Sequence, residues 1–284
     1  MNFTNFTETS PGCLILNKHV ESFKKLGLCS VDDFVSFNGG EGINTKVLPK
    51  FRNRLVFKAG EPEANFYLKT YNKPPLKVQV SNWLDHGNIA STAAYDYMPA
   101  LELESIGVKT PVVAAFGEVM SGPFEKKSFI VTEEIVGGVD LEKNVPEFFK
   151  RPFDSDKHCK QMDFVRELAR FSRDFHNNGF RHRDFYLAHI FWGEDGGFQM
   201  IDLQRVFKPK LTGWKYRLKD IAQLYYSAPS SIYSRTARLR FYKEYAQVDK
   251  LSTKDRWFIK CLKAKVGKMA VHDEKKGKPA PFKM

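Results

Sequence analysis

Two carboxylates, Asp184 and Asp202, are the residues of this sequence with the clearest potential for chemistry. Asp184 ends the run His182-Arg183-Asp184, and Asp202 follows eighteen residues later, at the end of the apolar run 198–201. A carboxylate that takes the proton of an acceptor hydroxyl speeds a reaction by ~10²–10⁴. A second carboxylate can hold Mg²⁺ together with phosphate oxygens. With Lys69 to neutralise donor phosphates, these groups are the parts that phosphoryl transfer needs.

Each of these residues also has a plainer interpretation. The run at His182 could be a charged turn after a helix, Asp202 could cap a turn, and Lys69 could face solvent from a strand. If Lys69 does neutralise phosphates, it needs a carboxylate partner on the helix that follows. Asp96 is the predicted partner, with Glu102 and Glu104 as competitors.

The first half of the chain predicts an antiparallel sheet with one helix. Short runs of β-forming residues at 55–58 and 66–71 are separated by Gly60-Glu61-Pro62, and further strands are predicted at 112–116 and 129–132. Residues 88–106 have helical spacing, with Pro99 as a kink. Before the strands lie Gly39, Gly40 and Gly42, which are predicted to cover donor phosphates. Their spacing does not match the G-x-G-x-x-G motif, so an ordinary loop is an equally good interpretation.

The second half predicts helices at 158–178, 217–227 and 235–248, with a hairpin around Gly196. The predicted fold class is therefore α+β, in a bilobal arrangement like that of protein kinases. The predicted boundaries are 1–34 for an N-terminal extension, 35–135 for a nucleotide-binding lobe, 136–262 for a catalytic and acceptor-binding lobe, and 263–284 for a loosely ordered basic tail.

Composition limits the classes of partner and the cellular compartment, but it does not identify a substrate. The net charge of +12 favours anionic partners, but no nucleic-acid recognition module accompanies it. Four scattered cysteines form no CxxC pair, which argues against zinc and favours a reducing cytoplasm. The sequence has neither a signal-peptide pattern nor an apolar run of membrane-spanning length, so we expect a cytoplasmic protein.

The segment from His182 to His189 carries a resemblance to kinases. It matches the protein-kinase catalytic loop at His-Arg-Asp, but His189 stands where protein kinases have Asn. His-Arg-Asp-x-Tyr-x-x-His, followed by Ile201-Asp202-Leu203-Gln204-Arg205, resembles the lipopolysaccharide kinases of Gram-negative bacteria, the Kdo/WaaP family. Residues 67–71, 107–111, 132–135 and 219–224 also resemble that family, which makes the similarity span roughly 35–245.

This resemblance implies a kinase that uses ATP and Mg²⁺ to phosphorylate a heptose or Kdo sugar of the lipopolysaccharide inner core. It implies that Asp184 is the base, that Lys69 binds phosphate with Asp96 as its partner, and that Glu133 and Ile135 meet adenine through the backbone. It further implies Asp202 at the metal and Asp220 as a support of the catalytic loop. Beside these, His182 is predicted as a second support of the loop and His189 as a metal contact. Because imidazole is a poor ligand for Mg²⁺, the alternative for His189 is a hydrogen bond to the base or to a phosphate. The family usually has Glu where this chain has Asp96, one methylene shorter.

The acceptor side has a charge pattern of its own. Basic residues fill the stretch between Asp202 and Asp220, and the predicted acceptor-binding residues are Arg205, Lys208, Lys210 and Lys215. They would attract the carboxylates and phosphates of inner-core sugars, and the basic tail would attract an anionic inner-membrane surface. A solvated basic surface is the alternative for both. Rival functions are phosphotransfer to protein or another small molecule, and nucleotide binding without catalysis.

Overall fold

The computed structural model describes residues 3–43, 48–144, 149, 155–193, 197–211 and 213–277. The chain forms two compact units. The first comprises residues 1–136 together with 202–205, and the second comprises 137–201 and 206–284. The predicted α+β class, with an antiparallel N-terminal sheet and a mainly helical C-terminal part, is confirmed.

The first unit is built on one seven-stranded antiparallel sheet. Its strands are β1 (Phe6–Ser10), β2 (Cys13–Leu16), β3 (Glu41–Gly42), β4 (Arg52–Ala59), β5 (Ala64–Asn72), β6 (Val113–Ser121) and β7 (Phe124–Glu133). Their order across the sheet is β1-β2-β6-β7-β5-β4-β3. Residues 6–16, predicted as part of an extension, add two strands beside β6.

Alternation along β4 and β5 separates an apolar face from a charged one. Leu55 and Phe57 on β4, and Phe66 and Leu68 on β5, are buried in the core of the first unit. Because successive side chains of a strand point to opposite faces, Lys69 lies on the other face of β5. The strand register thereby places Lys69 outside the apolar core while keeping its backbone in the middle of the sheet.

Helices α1 (Val20–Lys25), α2 (Val31–Ser36), α3 (Leu76–His86) and α4 (Ala94–Ser105) complete the first unit. The helix predicted over 88–106 corresponds to α4. Helix α3 lies before that range and was not predicted; Gly87, at a φ of 72°, ends it. Gln79 is the only buried side chain of α3, and its apolar residues Leu76, Val80 and Leu84 are exposed.

The second unit is mainly helical. It contains α5 (Ser155–Asn177), α6 (Gly213–Ser227), α7 (Arg235–Ala246) and α8 (Thr253–Glu274). Its short strands are β8 (Val139–Asp140), β9 (Arg181–His182), β10 (Ile190–Trp192), β11 (Phe198–Met200) and β12 (Val206–Phe207). β10 pairs with both β11 and β8, and β12 pairs with β9. Helices α5, α6 and α7 correspond to the three that the sequence predicted.

Helix α8 differs from the prediction of a loosely ordered tail from residue 263. The helix continues to Glu274 because Leu262, Val266 and Ala270, four residues apart, are buried against the other helices. The lysines between them obscured that spacing. The end of the predicted tail, residues 278–284, lies outside the described residues. No helix in the described part of the chain has both the length and the apolarity that a bilayer crossing requires.

Candidate active site

Lys69 and Asp96 form an ion pair in the first unit. The Lys69 Nζ lies 2.6 Å from Asp96 Oδ2, and Asp96 is only 4% exposed. Burial by itself lowers the pKa of Lys69, but the nearby Asp96, Tyr71 and Asp202 outweigh it and the pKa is raised. Lys69 is therefore a fixed cation, and the shorter side chain of Asp96 does reach it. Glu102 and Glu104, the competing partners, do not form this pair.

Asp96 is held in place through the first turn of its helix, α4. The N–H groups at a helix start have no partner within the helix. Here Ser128 Oγ accepts from the Ala93 N–H at 3.2 Å, and Glu125 Oε2 accepts from the Thr92 N–H at 2.8 Å. Because Glu125 and Ser128 lie on β7, the strand next to β5, the helix and the lysine strand share one support. Sequence reasoning missed this network.

Asp202 also belongs to the first unit. Its φ is 56°, a left-handed conformation that Asp and Asn tolerate better than most residues. The turn that follows, Leu203–Arg205, packs against α4, and the Arg205 N–H donates to the Asp202 carbonyl at 3.0 Å. A carboxylate near Lys69 fits the oxygen-rich surroundings that Mg²⁺ prefers. Strained backbone of this kind costs ~1–3 kcal/mol and tends to persist at functional sites.

The glycines and the 133–135 segment predicted to meet the nucleotide lie beside an edge strand and after the central strand of the sheet. Gly39 and Gly40 precede β3, and a Cβ on Gly40 would lie 2.5 Å from the Val56 carbonyl oxygen, so its backbone must approach β4 closely. At the end of β7, the Glu133 N–H donates to the Val112 carbonyl and Glu134 donates to Asn65. Ile135 follows directly after these two residues, and its adenine contact stays a prediction.

The Glu133 side chain is bound by the N-terminal segment. Its Oε1 lies 2.6 Å from Lys18 Nζ and 2.7 Å from His19 Nε2. Burial raises the pKa of Glu133, but hydrogen bonds from His19 and Lys18 prevail and the pKa is lowered. The carboxylate is thus occupied, and the Glu133 N–H is bound to the Val112 carbonyl, so the predicted adenine contact of Glu133 would have to use its carbonyl oxygen.

In the second unit, the His182 ring forms hydrogen bonds with the backbone of the loop that starts at His182. Its Nδ1 accepts the Asp184 N–H at 3.0 Å, and its Nε2 lies 3.3 Å from the Ile201 carbonyl oxygen. Since a carbonyl can only accept, the ring proton resides on Nε2. His182 thereby ties the backbone of Asp184 to the residue just before Asp202.

His189 contacts the same loop from the other side. Its Nδ1 lies 2.6 Å from the Asp184 carbonyl oxygen, so Nδ1 carries the proton and Nε2 keeps its lone pair when the ring is neutral. A nitrogen lone pair is a poor ligand for Mg²⁺. In this position His189 orients the backbone of Asp184, and a metal contact would depend on Nε2.

Helix α6 holds the loop through polar side chains one turn apart. Asp220 Oδ2 accepts the His182 N–H at 2.9 Å, Gln223 accepts the Phe185 N–H at 3.1 Å, and Ser227 accepts the Leu187 N–H at 3.0 Å. Lys219 and Gln223 both donate to the Arg183 carbonyl. Donors and acceptors of the loop backbone are thus paired with one rigid helix. Of these four residues, sequence reasoning identified Asp220 alone as a support.

Asp220 is linked onward to a second buried side chain, His176 of α5. His176 Nε2 lies 3.1 Å from Asp220 Oδ2, and Nδ1 lies 2.7 Å from the hydroxyl of Tyr245 on α7. Burial raises the pKa of Asp220 to about 8, and burial with the charges of Arg181 and Arg217 lowers that of His176. Both shifts favour an uncharged pair, as expected where no water reaches.

Comparison with known proteins identifies the family of this chain. The model of the lipopolysaccharide kinase (Kdo/WaaP) family matches residues 68–245. The chain belongs to this family. The matched range includes Lys69, Asp96, Asp184, Asp202 and Asp220. The kinase resemblance predicted from the residues around His182 is confirmed, and the chain is a phosphotransferase of the kinase class.

Relatives within the family match most of the chain. The lipopolysaccharide core heptose(I) kinase WaaP of Pseudomonas aeruginosa is 29% identical over 216 residues, which cover 74% of this chain and 80% of that protein. WaaP of Escherichia coli is 27% identical, covering 70% of this chain and 77% of its own length. A solved structure of WaaP in complex with acyl carrier protein has the same fold, with a TM-score of 0.65 and 24% identity, covering 87% of this chain and 96% of the other.

The four predicted acceptor-binding residues of this Kdo/WaaP kinase are all solvent-exposed. Arg205 belongs to the first unit, and Lys208, Lys210 and Lys215 belong to the second. The Lys208 Nζ lies 4.3 Å from the centre of the Phe180 ring. The exposure of these cations is consistent with acceptor binding and equally with a solvated surface.

The loop support predicts a stability effect for Asp220→Ala. The substitution leaves the buried His182 N–H and the His176 ring without their partner, and each unsatisfied buried group costs ~1–3 kcal/mol. We expect the free energy of unfolding to fall by at least about 2 kcal/mol, measured by denaturant titration at pH 7. Asp163→Ala, which removes an exposed carboxylate of α5, is the control and should change it by less than ~0.5 kcal/mol. Equal effects of the two variants would contradict the support role.

Proposed function

We propose that this kinase transfers the γ-phosphate of ATP to a heptose hydroxyl of the lipopolysaccharide inner core. The observation that carries the proposal is the similarity to three proteins named lipopolysaccharide core heptose(I) kinase, over 70% or more of each chain. The fold likeness to WaaP is consistent with it. Residues 35–135 would bind the nucleotide and residues 136–262 would supply the base and bind the acceptor.

In this proposal, Asp184 accepts the proton of the heptose hydroxyl as the oxygen attacks the γ-phosphorus. The new O–P bond forms while the bond from phosphorus to the β–γ bridging oxygen breaks, and ADP leaves. Lys69, kept charged by Asp96, would neutralise the donor phosphates. Mg²⁺, when bound, supplies further charge neutralisation, with Asp202 as its protein ligand.

The rival functions are weaker on the same observations. A binding protein without catalysis would not need Lys69 and Asp96 paired in a buried setting together with a carboxylate at each catalytic position. Transfer to protein side chains lacks support from the relatives, which are named for a sugar substrate.

Asn substitutions test the two carboxylates. Asn keeps the shape of Asp and tolerates the left-handed backbone of residue 202, so Asp202→Asn removes charge without changing the turn. We expect Asp184→Asn and Asp202→Asn each to lower phosphate transfer from ATP to purified core lipopolysaccharide at least ~100-fold. Transfer is measured as labelled phosphate in the glycolipid. Asp249→Asn, far along the chain from both carboxylates, is the control. Full activity in either variant would refute the assigned role, and transfer only to protein would favour the rival.

A second proposal concerns an apolar cavity of about 550 Å³ within the second unit, lined by Val165, Leu168, Ile221, Leu224, Phe241 and Leu262 among others. Cavities of this size and lining are typical binding sites for apolar ligands. The solved WaaP structure is described as a complex with acyl carrier protein. We propose that this chain also binds an acyl carrier protein, with its acyl group in the cavity and exposed Arg235 and Lys263 near the carrier.

Cavity filling tests the acyl-group proposal. Ala228 lines the cavity, so the larger side chain in Ala228→Trp should keep the acyl group out of it. Binding of acylated carrier protein, measured by titration calorimetry, should weaken at least 10-fold. Val271→Trp, on the exposed side of α8, should leave binding unchanged. Unacylated carrier should bind the wild-type protein much more weakly. Equal binding of acylated and unacylated carrier would exclude the cavity as the acyl site.

A third proposal places the protein on an anionic membrane surface, which its lipid-linked substrate requires. Helix α3 exposes Leu76 (56%), Val80 (38%) and Leu84 (81%) on one face, at intervals of four residues. Lys73 and Lys77 lie exposed beside that stripe. An apolar stripe with flanking cations is suited to the boundary of an anionic bilayer, where each Lys contributes ~1 kcal/mol.

Vesicle co-sedimentation tests this surface. Leu84→Asp should reduce binding to vesicles containing anionic phosphatidylglycerol at least 5-fold, because it places a carboxylate in the stripe. Leu211→Asp, at a position that is also 81% exposed but in the second unit, is the matched control and should bind like wild type. An equal loss in both variants would indicate a charge effect alone and would remove α3 from the proposal.

A further inference from the structure

Two arginines share the charged face of the sheet with Lys69. In the antiparallel register of β4 and β5, Arg54 lies directly opposite Lys69, and Arg52 lies directly opposite Tyr71. Residues two apart on a strand point to the same face, so Arg52, Arg54, Lys69 and Tyr71 all lie on the face away from the apolar core. The Arg52 guanidinium lies 5.5 Å from the centre of the Tyr71 ring.

This cluster has an excess of positive charge. Like charges directly opposite each other across two strands destabilise a sheet, and Arg54 and Lys69 are such a pair. The carboxylates that act on Lys69 are Asp96 and Asp202, so three cations face two carboxylates. Among the described residues, neither arginine forms an ion pair with a carboxylate.

The same cluster contains buried polar atoms without partners. The Nε atoms of Arg52 and Arg54 and the hydroxyl of Tyr71 are buried and make no hydrogen bond with any described residue. Tyr71 is only 1% exposed. Buried polar groups are normally paired, so three unpaired ones in one place indicate a ligand that supplies acceptors.

We propose that Arg52 and Arg54 bind a phosphate group and, with Lys69, form a three-cation phosphate site on the sheet. A guanidinium presents a planar fork of N–H donors that matches two phosphate oxygens, and the bound charge would remove the repulsion between Arg54 and Lys69. The phosphate belongs either to the donor nucleotide or to the acceptor, and this choice rests on the proposed function. The existence of the phosphate site rests only on the cluster of Arg52, Arg54, Lys69 and Tyr71.

Anion binding by the full-length protein tests the site without catalysis. Inorganic pyrophosphate should raise the melting temperature of the wild-type protein, and Arg54→Gln or Arg52→Gln should abolish most of that rise. Without pyrophosphate, Arg54→Gln should melt no lower than wild type, because it removes a like-charge contact. Lys58→Gln, which makes the same charge change on the same face of β4 beside Glu63, should respond to pyrophosphate like wild type. Equal responses of Arg54→Gln and Lys58→Gln would overturn the site.

Two further measurements identify the source of the phosphate. If it is the nucleotide's, Arg54→Gln should weaken ADP binding ~10–100-fold in calorimetry while adenosine binding stays unchanged, and Arg54→Lys should recover part of the loss. If it is the acceptor's, ADP binding should stay unchanged and the KM should rise for phosphorylated core lipopolysaccharide but not for the dephosphorylated form. A pyrophosphate effect in a protein that phosphorylates no lipopolysaccharide would sustain the site and refute the proposed function.

Discussion

The ion pair between Lys69 and the buried Asp96 is the interaction on which the candidate site in the first unit depends. Removing one partner of a buried pair costs ~3–5 kcal/mol, because the other charge is left without compensation. The pair forms only while β5 and α4 keep their positions. β7 secures both, since it pairs with β5 along its length and binds the first turn of α4 through Glu125 and Ser128. One strand thus sets the distance between a cation and its carboxylate.

In the second unit, hydrogen bonds to the backbone hold the loop that carries Asp184. The loop from His182 to His189 has little regular structure, so its backbone groups need partners from elsewhere. Helix α6 supplies them from side chains on successive turns, and His176 and Tyr245 extend the connection into α5 and α7. The backbone around Asp184 can then be held at a fixed position by these contacts. Rigid placement of this kind is what proximity effects in catalysis require.

The sequence predicted what is encoded locally and missed what is encoded at long range. His182, Asp184 and Asp202 are recognisable because their spacing along the chain is itself the signal. Gln223 and Ser227 hold loop residues 38 and 40 positions away, and no local pattern marks such bonds. Helix α3 was not predicted although its exposed apolar residues recur every four positions, and the end of α8 was missed because lysines surround its buried residues. Arg52 and Arg54 alternate with core residues in the sequence. That they lie beside Lys69 and Tyr71 follows only from the pairing of β4 with β5.

The contact of Glu133 with Lys18 and His19 anchors the end of β7 to the segment just before α1. Residues 18 and 19 lie outside the range that the family model matches, yet they bind the side chain of a residue whose backbone we propose to meet adenine. Loss of Lys18 and His19 would therefore leave the Glu133 carboxylate without these partners and loosen the end of the strand that carries the proposed adenine contact.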